Sequence, residues 1–257
     1  MTGSNKTGRR QESILARLRA TQREWRVEEL AAALTVKELT IRRDLTTLAE
    51  QGVILRTHGG CLAAARAAQE SEYHERVAHN FELKRAIGRV AAAEVMPQST
   101  VLLNDGSTTF HLAAPLGGCA PLTVYTNSIA MIAELSRFAG LELYVLGGRY
   151  NSQLHYLGGT LTERVLEFLE FDTVFLGADA VGRDGQCQVF NSEEARTAQI
   201  MLRRGRRKIL LADHTKTTVT GNVAYATLAD FDLWVTTRGI APARLRHFRT
   251  LTTVREA

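Results

Sequence analysis

The first sixty residues repeat their apolar positions with helical spacing. Ile14, Leu15 and Leu18 predict a helix over about 9–21, and Val27, Leu30, Ala31 and Leu34 predict a second. Thr35-Val36-Lys37 reads as the turn between them and a third helix, which runs from about Glu38 to Gln51 and stops at Gly52. Val53, Ile54 and Leu55 form a short strand, and Arg56 and His58 lie near the tip of a turn at Gly59-Gly60. Residues 61–72 are Ala-rich and read as a linker, helical or flexible. A helix is predicted from near Tyr73 to Val95, before Pro97.

From Val101 onward the rhythm changes. Apolar runs at Val101–Asn104, Leu122–Thr126, Leu141–Leu146, Thr173–Gly177, Lys208–Ala212 and Leu233–Thr236 predict strands. Helical stretches at Thr108–Leu116, Ile129–Phe138, Leu161–Leu169 and Glu193–Arg204 separate them. Continuous apolar strands alternating with helices predict an α/β domain with a buried, mainly parallel sheet. The chain thus divides into 1–60, a linker over 61–72 and an α/β domain over 73–257.

Charge sharpens the first of these domains. Residues 1–60 hold eleven Lys/Arg against seven Asp/Glu, and the rest of the chain holds 21 against 20. The positive excess therefore sits in the first quarter, as in a terminal nucleic-acid module. On the third helix, Ile41, Leu45 and Leu48 share one stripe, and Leu39, Thr40, Arg43 and Thr47 fall broadly opposite with Arg42 on the flank. A helix fits the major groove of B-DNA, where Arg pairs with guanine or phosphate, Thr bonds to either and Leu packs on a thymine methyl. With Lys37, Arg56 and His58 these residues form the candidate surface for double-stranded DNA. The bland alternative, a small helical domain with a solvated charged face, explains the helix but not the turn and strand pair beside it.

The strand ends of the second domain carry consistent chemistry. They read Asp105-Gly106-Ser107-Thr108-Thr109, Thr126-Asn127, Gly147-Gly148, Asp179 and Asp213-x-x-Lys216. In open α/β sheets ligands bind outside the carboxyl ends of the strands, and a Gly turn leading into a helix start suits a phosphate. Lys216 is either a second anion contact or a surface lysine. Asp105 and Asp179 either accept from sugar hydroxyls or cap loops, and Glu193 either faces the rim or caps its helix. His111 and His155 are assigned to core or surface, and Arg203–Lys208 to the solvated end of a helix.

The chain has neither Gly-x-Gly-x-x-Gly nor a Walker A motif, so nucleotide cofactors lack support, and no metal or other cofactor is expected. Cys61, Cys119 and Cys187 are odd in number and widely spaced, which fits free thiols. With no signal-peptide core and no apolar run long enough for a bilayer, a cytoplasmic protein without membrane attachment is expected.

Thr40-Ile41-Arg42-Arg43-Asp44-Leu45 and His58-Gly59-Gly60 resemble the signature of the DeoR family of bacterial transcriptional regulators. The strand-end set of the second domain resembles that family's sensor, which is similar in fold to ribose-5-phosphate isomerase. The resemblance implies a winged helix-turn-helix joined to a sensor of a phosphorylated sugar or related metabolite, most often in a repressor. It also implies a homo-oligomer, a dimer or tetramer. Lys37 departs from the family's usual Ser at the start of the recognition helix, and Thr35 is the candidate to replace its cap. The competing function is a sugar-phosphate isomerase with a DNA-binding appendage, which would need Glu193, Asp179 and Lys216 to converge on a carbonyl.

Overall fold

The computed structural model describes residues 3–21, 23–50, 53–63, 73 and 75–257. The expected helix stop at Gln51-Gly52 and the linker residues 64–72 lie outside the described residues. The chain forms two compact units, Met1–Glu72 and Tyr73–Ala257.

In the first unit the helices are α1 (Gly3–Thr21), α2 (Val27–Leu34) and α3 (Glu38–Glu50). Strands β1 (Trp25–Arg26), β2 (Ile54–Arg56) and β3 (Gly60–Ala63) make an antiparallel sheet in the order β1-β3-β2. The periodic residues Ile14, Leu18, Val27, Leu30, Ile41, Leu45 and Leu48 meet in one core with Ile54 and Cys61. Thr35 is the left-handed C-cap of α2 at φ 53°, and its N–H bonds back to Ala31 and Ala32. It therefore ends α2 and does not cap α3. Lys37 takes the cap position of α3 by its backbone alone, its carbonyl accepting from Thr40 and Ile41. Gly60 is required where it stands, because a Cβ there would lie 2.1 Å from the Trp25 carbonyl oxygen.

Asp44 sits on the buried side of α3 at 3% exposure and is held by Arg10 of α1 through two hydrogen bonds, one of 3.0 Å from Nη2. This pair clamps the recognition helix onto the first. Asp44→Ala strands a partly buried guanidinium, and we expect the first unit to lose about 2–3 kcal/mol, less than a fully buried pair costs because Arg10 keeps some water. Thermal denaturation of the whole chain should show a weakened low-temperature transition; an unchanged profile would rule the clamp out.

The second unit is built on a seven-stranded sheet, β15-β14-β12-β9-β4-β5-β6, parallel at every pairing. The strands are β4 (Thr100–Leu103), β5 (Leu122–Thr126), β6 (Leu141–Val145), β9 (Phe171–Gly177), β12 (Gly205–Leu211), β14 (Leu233–Thr236) and β15 (Thr253–Glu256). Alternate side chains supply two separate cores. Leu102, Val174, Leu176, Leu210 and Trp234 pack on one face, and Val101, Leu103, Phe175, Ile209, Leu211 and Val235 on the other. Burial on both faces explains why the strands read as continuous apolar runs. No described helix is long and apolar enough to cross a membrane.

Several elements depart from the sequence expectations. The helix expected over 73–95 is broken at Asn80, which is left-handed at φ 57°; a helical turn at 75–78 precedes it and the helix Phe81–Ala92 follows. The helix expected at Thr108–Leu116 is two four-residue helices, Ser107–Phe110 and Ala113–Leu116. The break at His111 lies against Gly88, where a Cβ would meet the His111 carbonyl oxygen at 2.2 Å. Ile129–Phe138 shortens to Ile132–Leu135. β7 (Arg149–Asn151) pairs with β8 (Tyr156–Gly158), and β11 (Gln186–Val189) pairs with β10 (Ala180–Val181) and β13 (Val223–Thr227). β7, β8 and β10 are only two or three residues long, and β11 and β15 are at least half polar, so they carry little strand signal. β13 is as long as β5 and mostly apolar, and it adds to the expected strands. Most of the Arg203–Lys208 run is not a helix end: Gly205–Lys208 open β12, and Arg204, Arg206 and Arg207 pair with Glu170, Asp172 and Glu94.

Candidate functional sites: a DNA-facing helix and an anion cleft

On the first unit the predicted DNA-facing residues are carried by α3 and the β2–β3 wing. Lys37, Leu39, Arg42, Arg43, Thr47, Arg56 and His58 are exposed and Thr40 is half-buried. Leu39 is 61% exposed, so its side chain is open to contact. Arg42 leans on Glu38 at 3.5 Å. Arg56 folds back, its Nη1 donating to the Arg42 carbonyl at 3.2 Å and the Thr46 hydroxyl at 3.4 Å, so it ties the wing to the helix. His58 stands at the tip, in a turn fixed by Thr57 N–H to Gly60 O at 3.1 Å and Val27 N–H to Gly59 O at 2.9 Å.

On the second unit a narrow cleft lies where the strand order reverses, between β4 and β9, at their carboxyl ends. It is lined by Arg76, Asn104, Gly106, Ser107, Thr108, Gly177, Ala178, Asp179, Glu194 and Lys216. Asn104 closes its base: its Oδ1 accepts from Thr109 Oγ1 at 2.8 Å, Gly177 N–H at 3.2 Å and Gly106 N–H at 3.3 Å.

One side of the cleft is cationic. Arg76 Nη2 pairs with Asp179 Oδ1 at 2.6 Å. Lys84, buried at 2% exposure, donates to the Arg76 carbonyl and to Ser107 Oγ at 3.1 Å. Burial, then the Lys216 charge, lowers its ammonium to a pKa of about 8. The other side is carboxylic. Burial pushes Asp105 up, against a hydrogen bond from Asn127, and burial with the Asp105 and Asp179 charges pushes Glu194 well up. Asp105 and Glu194 are thus pushed toward their protonated forms, and a protonated Glu194 in the lining is a donor as well as an acceptor for hydroxyls.

Of the twelve residues expected at the rim, Gly106, Ser107, Thr108, Asp179 and Lys216 line this cleft. Asp105 and Asn127 form a buried hydrogen-bonded pair beside it. Thr109 is spent on Asn104, and Thr126 donates to Met131 Sδ and accepts from Ser128 N–H. Gly147 accepts from Thr162 Oγ1 and Gly148 packs against Gly158, so neither is among the lining residues. Glu193 is not there either: its carboxylate pairs with Arg149. Neighbouring helical residues point about 100° apart, so only one glutamate of this turn faces the cleft, and that one is Glu194. The spacing of Glu194, Ala198 and Met201 signals that Glu194 is on the buried stripe, though not that this stripe meets the cleft. Lys84 likewise continues the buried stripe of Ile87, Gly88 and Ala91. Arg76 and Asn104 gave no comparable signal. The helix at Ser107 has only four residues, so its dipole is small and the positive field comes mainly from Arg76, Lys84 and Lys216.

Residues 10–67 match the family model described as the DeoR-like helix-turn-helix domain, and residues 79–238 that described as the DeoR C terminal sensor domain. The chain is 30% identical to the HTH-type transcriptional regulator GolR of Listeria innocua over 87% of this chain and 88% of that one. It is 32% identical to the glycerol-3-phosphate regulon repressor of Escherichia coli over 74% and 75%. Among solved structures, ribose 5-phosphate isomerase A from Neisseria gonorrhoeae aligns over 55% of each chain, with a TM-score of 0.40 and 17% identity.

Proposed function

Since the chain belongs to the DeoR family of transcriptional regulators, we propose that it represses genes of sugar or polyol metabolism and leaves its operator when a phosphorylated sugar or related metabolite binds the cleft. The observation that carries this reading is the two-sided cleft at the β4–β9 reversal. Arg76 and Lys216 in its lining, with Lys84 behind Ser107, suit a phosphate, and Asp179 and Glu194 suit hydroxyls. The E. coli relative is named for a glycerol-3-phosphate regulon, a ligand chemistry of the same kind.

In this reading residues 1–60 bind double-stranded operator DNA in the cytoplasm, 61–72 link, and 73–257 sense the metabolite. A homo-oligomer, dimer or tetramer, presents its recognition helices to repeated half-sites about one helical turn, or a multiple, apart. The effector acts by binding one arrangement of the helices better than the other. Regulation is favoured over an isomerase with a DNA-binding appendage, because Glu193, the carboxylate that reading relied on, is held by Arg149.

Ser107→Asp tests the cleft. The new carboxylate meets Lys84, so the fold tolerates it, while its charge repels an incoming phosphate. Operator release by glycerol 3-phosphate, ribose 5-phosphate and related esters should be lost and operator affinity kept, as read by fluorescence anisotropy. Undiminished release from the variant would place the effector elsewhere.

A further inference from the structure

Lys84 is a buried ammonium with two neutral acceptors, the Arg76 carbonyl and Ser107 Oγ. Among the described residues no carboxylate lies within ion-pairing distance of it. A buried cation without a counter-ion is unfavourable, and a hydroxyl and a carbonyl return only part of its lost hydration. Lys216 and Arg76 add like charge around it, and the carboxylates Asp213 and Asp179 offset it only from beyond pairing distance.

Of these two carboxylates, Asp179 lines the cleft and is already committed. Its Oδ1 holds Arg76 at 2.6 Å, and its Oδ2 accepts from Phe190 N–H at 3.3 Å. With Arg76 in place the free space inside the cleft is about 10 Å³, room for roughly one water molecule. A phosphate ester therefore enters only if a lining side chain moves. Arg76 is the suitable one, being long and 28% exposed, whereas Asp179 is 5% exposed.

We propose that the effector's anionic group takes the Arg76 guanidinium from Asp179 and sits between Arg76 and Lys84, beside Ser107. The assignment rests on the cleft being the effector site and adds how it is opened. In the trade Arg76 exchanges one oxyanion for another, Lys84 gains an anion at pairing distance, which no described carboxylate gives it, and Asp179 is released to accept from a ligand hydroxyl. Lys84 also grips the Arg76 backbone carbonyl, so both cations respond to one ligand. Arg76 lies in the helical turn at 75–78, directly after the linker in the sequence. The segment leading out of the DNA-binding unit thus carries an effector contact.

The test uses inorganic phosphate, which carries the anion without the hydroxyls, titrated calorimetrically into the full-length protein. Arg76→Gln should weaken phosphate binding at least about tenfold, a loss of about 1.4 kcal/mol. Asp179→Asn should strengthen it about tenfold, because the guanidinium no longer has to be taken from a carboxylate. Combining the two should cancel the gain of Asp179→Asn. Arg76→Lys, which keeps the charge and the fold but not the planar fork, should fall between wild type and Arg76→Gln. Unchanged affinity in Arg76→Gln, or weaker binding in Asp179→Asn, overturns the trade. If Ser107→Asp loses phosphate binding while Arg76→Gln does not, the cleft stands and only the role of Arg76 falls. If neither variant loses it, the cleft is the wrong place and both readings fail.

Discussion

Arg43→Ala should abolish specific operator binding while leaving effector binding intact. Arg43 is exposed on α3, away from the buried Ile41, Leu45 and Leu48, and no ion pair holds it among the described residues. Its flanking neighbour Arg42 rests on Glu38, and Arg56 is folded onto the helix, so Arg43 is the guanidinium best placed to reach a base edge. A bidentate Arg contact to guanine contributes about 1–3 kcal/mol, and an oligomer using two recognition helices loses it twice. The expected loss is then about a hundredfold or more at fixed salt. Arg42→Ala should cost less, since that side chain must also leave Glu38 to reach the DNA. Because Arg43 is solvated, its removal should leave the melting temperature of the first unit almost unchanged. Gel shift and calorimetry on the same preparation separate the two activities. Full operator affinity in Arg43→Ala would refute the groove assignment.

Replacing Lys84 with Met should make the protein more stable at pH 7 and deaf to its effector. Burial lowers the Lys84 ammonium from an ordinary 10.5 to about 8. Below pH 8 it is charged in both folded and unfolded chains, and keeping it charged inside costs about 3 kcal/mol. Between pH 8 and 10.5 the unfolded chain binds more protons than the folded one, so wild-type stability rises with pH as this cost fades. Met has a similar volume and no charge, and it gives up two hydrogen bonds worth about 1 kcal/mol each. A net gain of about 1 kcal/mol at pH 7 follows, and it should shrink above pH 8. Melting curves from pH 6 to 10, with operator release measured alongside, check both halves. A lower melting temperature at pH 7, or a gap that does not narrow above pH 8, would mean that Lys84 stabilises the fold and is not held in reserve for a ligand. A cation that weakens the fold and completes a binding site is the stability–function compromise this prediction tests.

The recognition helix and the sheet strands were legible because each is encoded by residues close together in the chain. Ile41, Leu45 and Leu48 fix which face of α3 is buried, and thereby which face Arg43 occupies. The runs at β5 and β14 fall where their apolar residues begin and end. The breaks at Asn80 and His111 were not legible, since the flanking periodicity continues through them and only packing against the sheet decides the turn. Asp44 looked like part of a basic motif; the fold turned it inward to Arg10.

By itself, then, the sequence determined the two architectures, the exposed basic side of α3 and the strand ends that hold Gly106, Ser107, Thr108, Asp179 and Lys216. Local periodicity and turn chemistry suffice for these, because they depend on spacings of two to four residues. Only the tertiary structure decided which of those residues share a cleft and what opposes them. Arg76 meets Asp179 across 103 positions, Lys84 reaches Ser107 across 23, and Glu194 displaces Glu193 by the turn of a helix. Such meetings follow from strand order and helix rotation, and the reversal between β4 and β9 brings the distant residues together.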